Sequence, residues 1–473
     1  MAFQFIKNSS QLLPKELHKT QLNLRKLGLK TLEKALTAVK PGNLIQNAIN
    51  ILNNKLNIYG DIYDLGNFEN IYIIGGGKAS ADMLFSLEEI LLKANYSNYG
   101  AIINVPNGLK IDRSYNESKI KINFASHPIP DENGLKGTKS MINLIKKATN
   151  KDLIICLISG GGSALITLPN ERISLNDKKE INKLLLTVGA SIHEINTVRK
   201  HLSAVKGGNL AKKIYETSRA KVITLIISDV IGDNLDIIAS GPTVPDPTTY
   251  QDAYNILEKF NLIGKVPKNI LNLIISGLKS ETIDNPNNNH MCFINVRNYL
   301  IGSVKGAVEE IKAYLNNNNL DVIYFSDNIS GEAKDFGVEL YGVISEKTKS
   351  VENKCLALIG TGELTVTLKG KGIGGRNQEM LLSFLNFIKH KELNYDFLII
   401  AANLDGIEGN SKAMGALVDN FTLKKMIQEK IDTERFLDNN DSNSFFKALN
   451  CELITGYTGI NVNDIILILI NLR

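Results

Sequence analysis

Long apolar runs bounded by glycine or polar residues recur along this chain, and they constrain its fold more than any other feature. The runs DLIICLIS (152–159), KVITLIISDV (221–230) and DIILILINL (464–472) consist mostly of Ile, Leu and Val. Such runs are typical of strands that are buried on both faces of a parallel sheet. Helical segments such as NQEMLLSFLNFIK (377–389) lie between the runs. The alternation predicts an α/β fold in which helices flank mostly parallel sheets.

A chain of 473 residues is long enough for more than one hydrophobic core. The polar segment SETIDNPNNNH (280–290) separates two regions that both alternate strands with helices. We therefore predict one α/β domain over residues 1–290 and a second over residues 291–473, each with a Rossmann-like, mostly parallel sheet. Ligands of such sheets bind beyond the carboxyl ends of the strands, so functional residues are expected directly after each strand.

Composition and charge argue against several classes of function. The net charge is +5, and basic and acidic residues are mixed without the basic block of a nucleic-acid-binding protein. No apolar run approaches the ~20 residues of a membrane-spanning helix, and the N-terminal residues lack the apolar core of a signal peptide. The four cysteines have no paired spacing, which argues against a zinc site and a disulfide framework. We expect a cytoplasmic protein that acts on a small molecule, without a nucleic-acid or membrane partner.

Two glycine-rich loops follow predicted strands. GGGK (75–78) follows the apolar residues 71–74, and SGGGS (159–163) follows the run DLIICLI. Such turns before a helix let backbone N–H groups approach an anion closely, and a lysine adds a mobile positive charge. Tight strand-to-helix packing is the alternative, but two such loops, one of them with Lys78, favour phosphate binding. The predicted phosphate- or substrate-binding residues of the loops are Gly75, Gly76, Gly77, Ser159, Gly160, Gly161, Gly162 and Ser163.

A third glycine pattern, GKGIGG (370–375), matches the G-x-G-x-x-G fingerprint of dinucleotide-binding folds. The fingerprint also needs an acidic residue at the end of the next strand, whereas Asp396 begins that strand and Asp405 lies too late. The match is therefore weak. Arg376 follows at the start of a helix, where acidic residues are usually preferred. An arginine beside glycines at this position is better explained as a phosphate or carboxylate ligand than as a solvated surface residue.

Carboxylates follow several of the predicted strands. Asp229 and Asp233 come after KVITLII, Glu363 after CLALI, and Asp405 after FLIIAAN. Carboxylates beside phosphates usually hold Mg²⁺ or accept a proton from a hydroxyl group. Each aspartate alone is explained better by an Asx turn or a helix cap. Their shared position favours a metal site or a base, and we predict Asp229, Asp233 and Glu363 as metal ligands.

Further polar residues are predicted at the substrate site, and a structural role also explains some of them. His127 lies in the turn SHPIPD, where a hydrogen-bonded turn histidine and a substrate contact are equally supported. Arg199 and Lys206 lie in VRKHLSAVKGGNLAK (198–212), where basic residues near a helix end also suit the helix dipole. Asn377, beside Arg376 in GRNQE, and Asp405 complete the predicted set.

Taken together, these motifs resemble those of the glycerate 2-kinases that combine an N-terminal kinase-like domain with a C-terminal MOFRL domain. The matching strings are GGGKAS, SHPIPDENG, LISGGGSAL, EINTVRKHLSAVKGGNLA, SDVIGDNLDIIASGPTVPD, GRNQE, LDGIEG and TGINVNDI. They extend from about residue 70 to residue 466, and jointly they are highly specific.

The resemblance implies ATP-dependent phosphorylation of D-glycerate to 2-phosphoglycerate, with ATP and Mg²⁺ bound. It implies catalytic roles for Lys78 and Arg376 in handling the phosphoryl group, and for Asp229, which corresponds to the family's SDV aspartate. Glu363 corresponds to the glutamate of the family's GGGET string. We expect the active site in the cleft between the two domains, and a homodimer is left open.

The C-terminal strings depart from the family pattern. Thr361 and Leu364 replace a glycine and a threonine, and Glu408 replaces an aspartate in LDGIEG. These changes bear on substrate identity and rate. Two other functions are therefore considered, an NAD(P)H-dependent hydroxypyruvate reductase and a non-catalytic sensor of a phosphorylated metabolite. The missing acidic partner of GKGIGG argues against the reductase, and ligand affinity without turnover would favour the sensor.

Overall fold

The computed structural model describes residues 3–349 and 354–473. The chain divides into two compact units: unit 1 combines Met1–Lys40 with Gly302–Arg473, and unit 2 is Pro41–Ile301. Each unit contains a six-stranded sheet and flanking helices. The prediction of two α/β domains is therefore confirmed, whereas the predicted cleft between them stays a prediction.

The strands of the described residues are β1 (Ile49–Leu52), β2 (Lys55–Ile58), β3 (Asp61–Asp64), β4 (Ile71–Gly76), β5 (Tyr99–Pro106), β6 (Ile120–Ala125), β7 (Leu153–Ile158), β8 (Lys221–Ile227), β9 (Val296–Gly302), β10 (Asp321–Ile329), β11 (Cys355–Gly362), β12 (Tyr395–Asn403), β13 (Gly415–Asp419), β14 (Glu452–Leu453) and β15 (Asp464–Leu472).

The α-helices of the same residues are α1 (Ser9–Leu12), α2 (Lys19–Ala38), α3 (Pro41–Ala48), α4 (Ser80–Lys93), α5 (Glu132–Ile145), α6 (Gly162–Leu165), α7 (Leu175–Thr187), α8 (Ile192–His201), α9 (Asn209–Thr217), α10 (Tyr250–Lys259), α11 (Lys268–Leu278), α12 (Val304–Asn316), α13 (Ala333–Lys349), α14 (Arg376–Ile388), α15 (Asn420–Gln428), α16 (Thr433–Asp438) and α17 (Ser442–Ala448).

Unit 2 contains a small antiparallel sheet, β1-β2-β3, and a main sheet with the order β6-β5-β4-β7-β8-β9. β4 lies near the centre of the main sheet and pairs in parallel with β5 and β7, and β8 pairs in parallel with β7. β7 is buried along its whole length, as its apolar sequence predicts. Gly76 pairs with Ile158, so the chain leaves β4 and β7 side by side. The two glycine loops therefore start at one carboxyl edge.

A helical layer is formed by two helices that precede β8 in the chain and two that follow it. α7, α8, α10 and α11 pack around an apolar cluster that includes Ile181, Val198 and Leu257. Ser174 and Ser191 begin α7 and α8 with capping boxes, in which serine and acidic side chains satisfy backbone N–H groups reciprocally. This layer holds α7 and α8 in fixed positions beside the main sheet.

The sheet of unit 1 has the order β10-β11-β15-β12-β13-β14 and is mixed. β10 and β11 are parallel, but β15 runs antiparallel to both β11 and β12. β13 also runs antiparallel to its neighbours β12 and β14. The expected mostly parallel sheet is thus found in unit 2 and not in unit 1.

The direction of β15 follows from where the chain enters the sheet. Asp464, the first residue of β15, pairs with Gly362 at the end of β11 and with Asn403 at the end of β12. No helix connects β14 to β15, so the chain does not cross to the other edge before β15 begins. A parallel strand needs such a crossover, and β15 therefore returns antiparallel. This brings the first residue of β15 to the edge where β11 and β12 end.

The two units also differ from the predicted domains. The division falls between Ile301 and Gly302, beyond the predicted boundary at residue 290, and the N-terminal segment belongs with the C-terminal part of the chain. Arg25 of α2 is 1% exposed and donates through Nε and Nη2 to Asp419 at the end of β13, at 2.7 and 2.9 Å. This buried ion pair ties α2 to the sheet of unit 1.

The described residues contain four free thiols and no helix that could span a membrane. Within residues 3–349 and 354–473, no helix has the length and apolar character needed to cross a bilayer. Cys156, Cys292 and Cys451 are buried free thiols, and Cys355 is a partly buried one. Buried free thiols of this kind pack as small apolar side chains.

Candidate functional site

The glycine loop after β4 approaches the loop after β7 so closely that side chains would not fit. Gly75 and Gly77 have φ values of +157° and +150°, which residues with a side chain rarely adopt. A Cβ on Gly75 would lie 2.9 Å from Leu157 N, and one on Gly77 would lie 2.7 Å from Ser159 O. Close packing, the alternative left open above, therefore explains these glycines. The same packing fixes the backbone that carries the following lysine.

Two hydrogen bonds join these loops. The backbone N–H of Lys78 donates to Gly160 O at 2.9 Å, and the N–H of Ala79 donates to Ser159 Oγ at 3.0 Å. Ser159 is 0% exposed. The buried Ser159 side chain therefore holds the two loops together. This role is structural, whereas the sequence predicted a binding residue.

Lys78 and His127 flank Gly161. A Cβ on Gly161 would lie 3.4 Å from Lys78 Cγ and 3.0 Å from His127 Cδ2. Burial and the charge of Lys78 lower the pKa of His127, so the imidazole is neutral at pH 7. The structure thus brings three of the predicted residues together, and a cation beside a neutral hydrogen-bonding ring suits an anionic ligand.

The end of the SGGGS loop contacts a strained turn that sequence reasoning missed. Ser163 Oγ lies 2.9 Å from Ser240 Oγ. Ala239 and Ser240 have φ values of +51° and +59°, and a Cβ on Gly162 would lie 2.8 Å from Ala239 Cβ. Left-handed residues other than glycine are strained and concentrate at functional sites. The string IASGPTVPD, which is part of the family motif, is the signal that could have identified this turn.

Asp229 and Asp233 follow β8 at the edge that carries the glycine loops, since β8 is the neighbour of β7. Asp233 has a φ of +58° and lies in the turn beyond Asp229. Across the described residues, no group of three or more His, Cys, Asp or Glu side chains is arranged to hold a metal ion. The third predicted metal ligand, Glu363, belongs to unit 1 and not to unit 2. The predicted metal residues therefore do not form a closed protein cage.

Arg199 and Lys206 point into the protein. Lys206 is 1% exposed, and its Nζ donates to Ala239 O at 3.3 Å. Arg199 is half-buried, and its Nε donates to Asn182 Oδ1 at 2.8 Å. Neither acceptor is a carbonyl group at the end of α8, so helix capping does not explain these two cations.

In unit 1, Arg376 joins carboxylates from two neighbouring strands at one edge of the sheet. It is the first residue of α14, and its Nε and Nη2 donate to Asp464 at 2.5 and 2.8 Å. Its Nη1 pairs with Glu363, directly after β11. Burial opposes the charge, but the hydrogen bonds and charges of Asp464 and Glu363 outweigh it and raise the pKa of Arg376. The guanidinium is thus held as a fixed positive charge.

Asp464 and Glu408 belong to this site and were not predicted. Asp464 also accepts from Asn377 Nδ2 at 2.9 Å, while Glu408 accepts the backbone N–H groups of Asn377 and Gln378 at 2.8 and 3.0 Å. Glu408 is 3% exposed. Burial and the charge of Asp464 raise the pKa of Glu408 to about 8. An acidic residue that opens the apolar strand DIILILINL was the available signal for Asp464.

Asp405 lies in the turn after β12, next to these residues along the sheet edge. Its backbone N–H donates to Asn403 Oδ1 at 2.9 Å, and its carbonyl accepts from Thr458 N at 3.1 Å. Unit 1 therefore brings together Glu363, Arg376 and Asn377, with Asp405 on the neighbouring strand end. Lys78 lies in the other unit.

The GKGIGG loop does not have the geometry of a dinucleotide site. The backbone N–H groups of Lys369 and Gly370 donate to Asn440 Oδ1 at 2.7 and 2.9 Å, so they are already satisfied. A Cβ on Gly375 would lie 2.9 Å from Glu408 Cβ. Glu408 occupies the first N–H groups of α14, where a dinucleotide fold binds pyrophosphate. These glycines serve packing, in agreement with the weak match noted from the sequence.

Known families and proteins match the chain over most of its length. A domain of unknown function designated DUF4147 matches residues 28–275, and the MOFRL family matches residues 356–464. A protein named glycerate 2-kinase from Pyrococcus horikoshii is 38% identical over 453 residues, which cover 95% of this chain and 98% of the relative. A protein named putative hydroxypyruvate reductase from Agrobacterium vitis is 37% identical over 402 residues, which cover 84% of this chain and 86% of the relative.

A solved structure also matches. The crystal structure of glycerate kinase from Thermotoga maritima superposes with a TM-score of 0.80 at 33% identity, covering 95% of this chain and 99% of that chain. These matches include the strings that carry the resemblance noted from the sequence. The chain, with its DUF4147 and MOFRL domains, belongs to the glycerate 2-kinase family.

Proposed function

We propose that this protein transfers the γ-phosphoryl group of ATP to the 2-hydroxyl of D-glycerate and forms 2-phosphoglycerate. The observation that carries the proposal is the arrangement of Lys78 and His127 on either side of Gly161, where two glycine loops leave the carboxyl edge of β4 and β7. Phosphoryl transfer needs little covalent chemistry from the protein. It needs positioning and neutralisation of charge, which this edge supplies.

Lys78 neutralises the phosphoryl group as a point charge. Its backbone is held by the bond to Gly160 O, which fixes the point from which the side chain extends. His127 stays neutral beside Lys78 and therefore offers a hydrogen bond without adding a second positive charge. Both loops contribute backbone groups that lie close to an anion because glycines carry no side chain.

Arg376 supplies a second, fixed charge. Asp464 binds the guanidinium in a bidentate pair, and Asn377 and Glu408 hold the start of α14. Because bidentate pairs fix the plane of a guanidinium, the remaining N–H groups keep one direction. In this proposal Arg376 contacts the phosphoryl group in transfer, and Asp464 acts through Arg376 as a positioning residue.

Asp229 and Asp233 carry carboxylate oxygens, which are ligands that Mg²⁺ prefers. Mg²⁺ is usually bound by one or two carboxylates together with substrate phosphates and water, so a closed protein cage is not required. The two carboxylates would hold Mg²⁺, which neutralises the phosphate charge when bound. Asp229 also accepts the proton of the 2-hydroxyl in this proposal. Glu363 pairs with Arg376 and therefore fits orientation of the arginine better than metal binding.

We place the protein in the cytosol, where ATP is available and thiols stay reduced. Its cysteines are free, which agrees with a reducing compartment. A homodimer remains the proposal for its assembly, and size-exclusion chromatography with light scattering tests it.

The first experiment incubates the protein with ATP, Mg²⁺ and D-glycerate and identifies the product by phosphorus NMR. A 2-phosphoglycerate signal is expected, and 3-phosphoglycerate would overturn the assignment of the attacked hydroxyl. Lys78→Ala is expected to lower turnover by roughly 10²–10³-fold, because it removes a charge from the transition state. Lys121→Ala, at an exposed position of β6, is the matched control and should leave turnover unchanged. Bound ATP with no product from any hydroxyacid would favour the sensor instead.

A further inference from the structure

Three cations in unit 2 lie inside the protein without a carboxylate partner. Lys178 and Lys206 are 2% and 1% exposed, and Arg199 is half-buried. Each donates to a neutral oxygen: Lys178 Nζ to Thr167 Oγ1 at 3.1 Å, Arg199 Nε to Asn182 Oδ1 at 2.8 Å and Lys206 Nζ to Ala239 O at 3.3 Å. In the part of the chain that the structure describes, none of the three forms an ion pair with Asp or Glu.

The neighbouring Lys200 shows how this fold treats a buried lysine that serves structure alone. Its side chain is 3% exposed, and its Nζ pairs with Asp236 at 2.9 Å and with Asp246 at 3.4 Å. An unpaired buried charge costs several kcal/mol, so buried cations are normally matched in this way. The chain neutralises Lys200 and leaves the other three cations unneutralised. That contrast points to an anion that comes from outside the chain.

Helix geometry places Lys178 and Arg199 together. Lys178 and Asn182 are four residues apart on α7 and therefore lie on one face of that helix. Asn182 accepts from Arg199 of α8. The guanidinium of Arg199 thus lies against the face of α7 that carries Lys178.

A second set of contacts places Lys206 beside them. Asn196, one turn before Arg199 on α8, accepts from Ser240 Oγ at 3.2 Å. Ser240 follows Ala239, whose carbonyl accepts from Lys206. Ser240 also contacts Ser163, the last residue of the SGGGS loop. Lys178 therefore contacts one end of the segment from Ser163 to Thr167, and Lys206 is linked through Ala239 and Ser240 to the other end.

Electrostatics agrees with this arrangement. Burial and the charge of Arg199 lower the pKa of Lys178 to about 7. Burial and the charges of both Lys178 and Arg199 lower the pKa of Lys206 well below its ordinary value. Each cation thus makes its neighbours harder to charge, and an anion between them would reverse the effect.

We propose that Lys178, Arg199 and Lys206 bind the carboxylate of the acceptor hydroxyacid, an inference that rests on the proposed function. Ser163 and Arg199 are half-buried, whereas Lys178 and Lys206 are almost fully enclosed. Such enclosure favours a small carboxylate over a triphosphate chain, which needs an open groove. The neighbouring hydroxyl of Ser163 would bind a hydroxyl of the same substrate.

The test is ligand-induced thermal stabilisation without nucleotide. Millimolar D-glycerate is expected to raise the Tm of the wild-type protein, whereas glycerol at the same concentration, which lacks the carboxylate, is not. Lys178→Met should abolish the shift by D-glycerate and should itself raise the Tm without ligand, because it removes an unneutralised buried charge. Lys183→Met, at an exposed position of α7, is the matched control and should respond as the wild type does.

Kinetics separate this inference from the proposed function. Lys178→Met is expected to raise KM for D-glycerate roughly 10- to 100-fold and to leave KM for ATP unchanged, because only a charged hydrogen bond to the acceptor is lost. A rise in KM for ATP alone, an unchanged D-glycerate response or a lower Tm of the ligand-free variant would each overturn the inference. D-glycerate stabilisation that depends on Lys178 in a protein without turnover would support the inference and refute the kinase. Arg199→Gln repeats the test if Lys178→Met does not fold.

Discussion

At the scale of single residues, the chemistry of this protein depends on the neighbours of each side chain more than on its type. Lys200 and Lys206 are both buried lysines, yet one is matched by two aspartates and the other by a carbonyl oxygen. Burial and the neighbouring charge of Lys78 lower the pKa of His127 and keep it neutral. A sequence pattern identifies such residues as candidates, but the partner that decides their charge is distant in the chain.

Gly77 tests whether the close approach of the two glycine loops matters for function. Gly77→Ala should lower the free energy of unfolding by about 1–3 kcal/mol, because its φ of +150° and the nearby Ser159 leave no room for Cβ. Turnover should fall more than stability explains, since Lys78 follows directly. Urea unfolding and steady-state kinetics measure the two effects.

The control for Gly77→Ala is Gly60→Ala in the turn between β2 and β3. Gly60 has a φ of +98°, but a Cβ there would meet no atom within 4 Å. Gly60→Ala should therefore lower the free energy of unfolding through backbone strain, while its turnover stays equal to that of the wild type. Equal kinetics in the two variants would contradict the role of loop packing in positioning Lys78.

At the scale of elements, the start of α14 is the best-defined part of the unit 1 site. Glu408 accepts the first N–H groups of the helix, and Asp464 holds both Arg376 and Asn377. Each of the two acidic groups therefore has hydrogen-bond donors at the start of the helix, and the charge of Arg376 pairs with Asp464. The start of α14 and the start of β15 are therefore joined by one network of hydrogen bonds between charged and polar groups.

Glu408 is expected to make stability depend on pH. Its folded pKa of about 8 lies above its ordinary value of 4.5, so the folded protein holds a proton that the unfolded chain has released. This contribution to stability is present at low pH and is lost as the pH rises through 8. The wild type should lose roughly 1 kcal/mol from this residue between pH 7 and pH 9, measured by urea unfolding.

Glu408→Gln isolates that contribution, because glutamine does not ionise. Lys178, with a lowered pKa of about 7, gains stability in the same pH range, so the informative quantity is the difference between wild type and variant. The wild type should lose stability relative to Glu408→Gln as the pH rises. Parallel pH profiles for the two proteins would show that Glu408 does not titrate in this range.

At the scale of the whole molecule, the N-terminal segment is part of the unit formed by the end of the chain. Arg25→Met leaves Asp419, which is 0% exposed, without its cation. The free energy of unfolding should fall by about 3–5 kcal/mol. Hydrogen exchange should locate the loss in α2, β13 and α15, with amides of unit 2 still protected.

The exposed pair of Arg113 and Glu89, at 2.8 Å, provides the control. Arg113→Met should change the free energy of unfolding by only about 0–1 kcal/mol, because water screens an exposed pair. Loss of protection in unit 2 after Arg25→Met would contradict the assignment of residues 1–40 to unit 1.

Sequence alone determined the elements and the candidate loops of this protein. The buried strand β7, the capped helix α7 and the glycine loops all depend on residues near one another in the chain, and their patterns are therefore local. The family was also evident, since its motifs are short strings. Lys78, Arg376 and their loops were identified for the same reason.

Only the tertiary structure decided which residues meet. The direction of β15 depends on where the chain enters the sheet, and an apolar strand has the same pattern in either direction. Asp464 therefore reached the site unpredicted, and Arg25 joined residues almost 400 positions away, at a sequence separation of 394. The cluster of Lys178, Arg199 and Lys206 has the same origin. The charge and the burial of a side chain depend on its neighbours in space. Contacts between residues that are distant in the sequence bring those neighbours together, and no local pattern encodes such contacts.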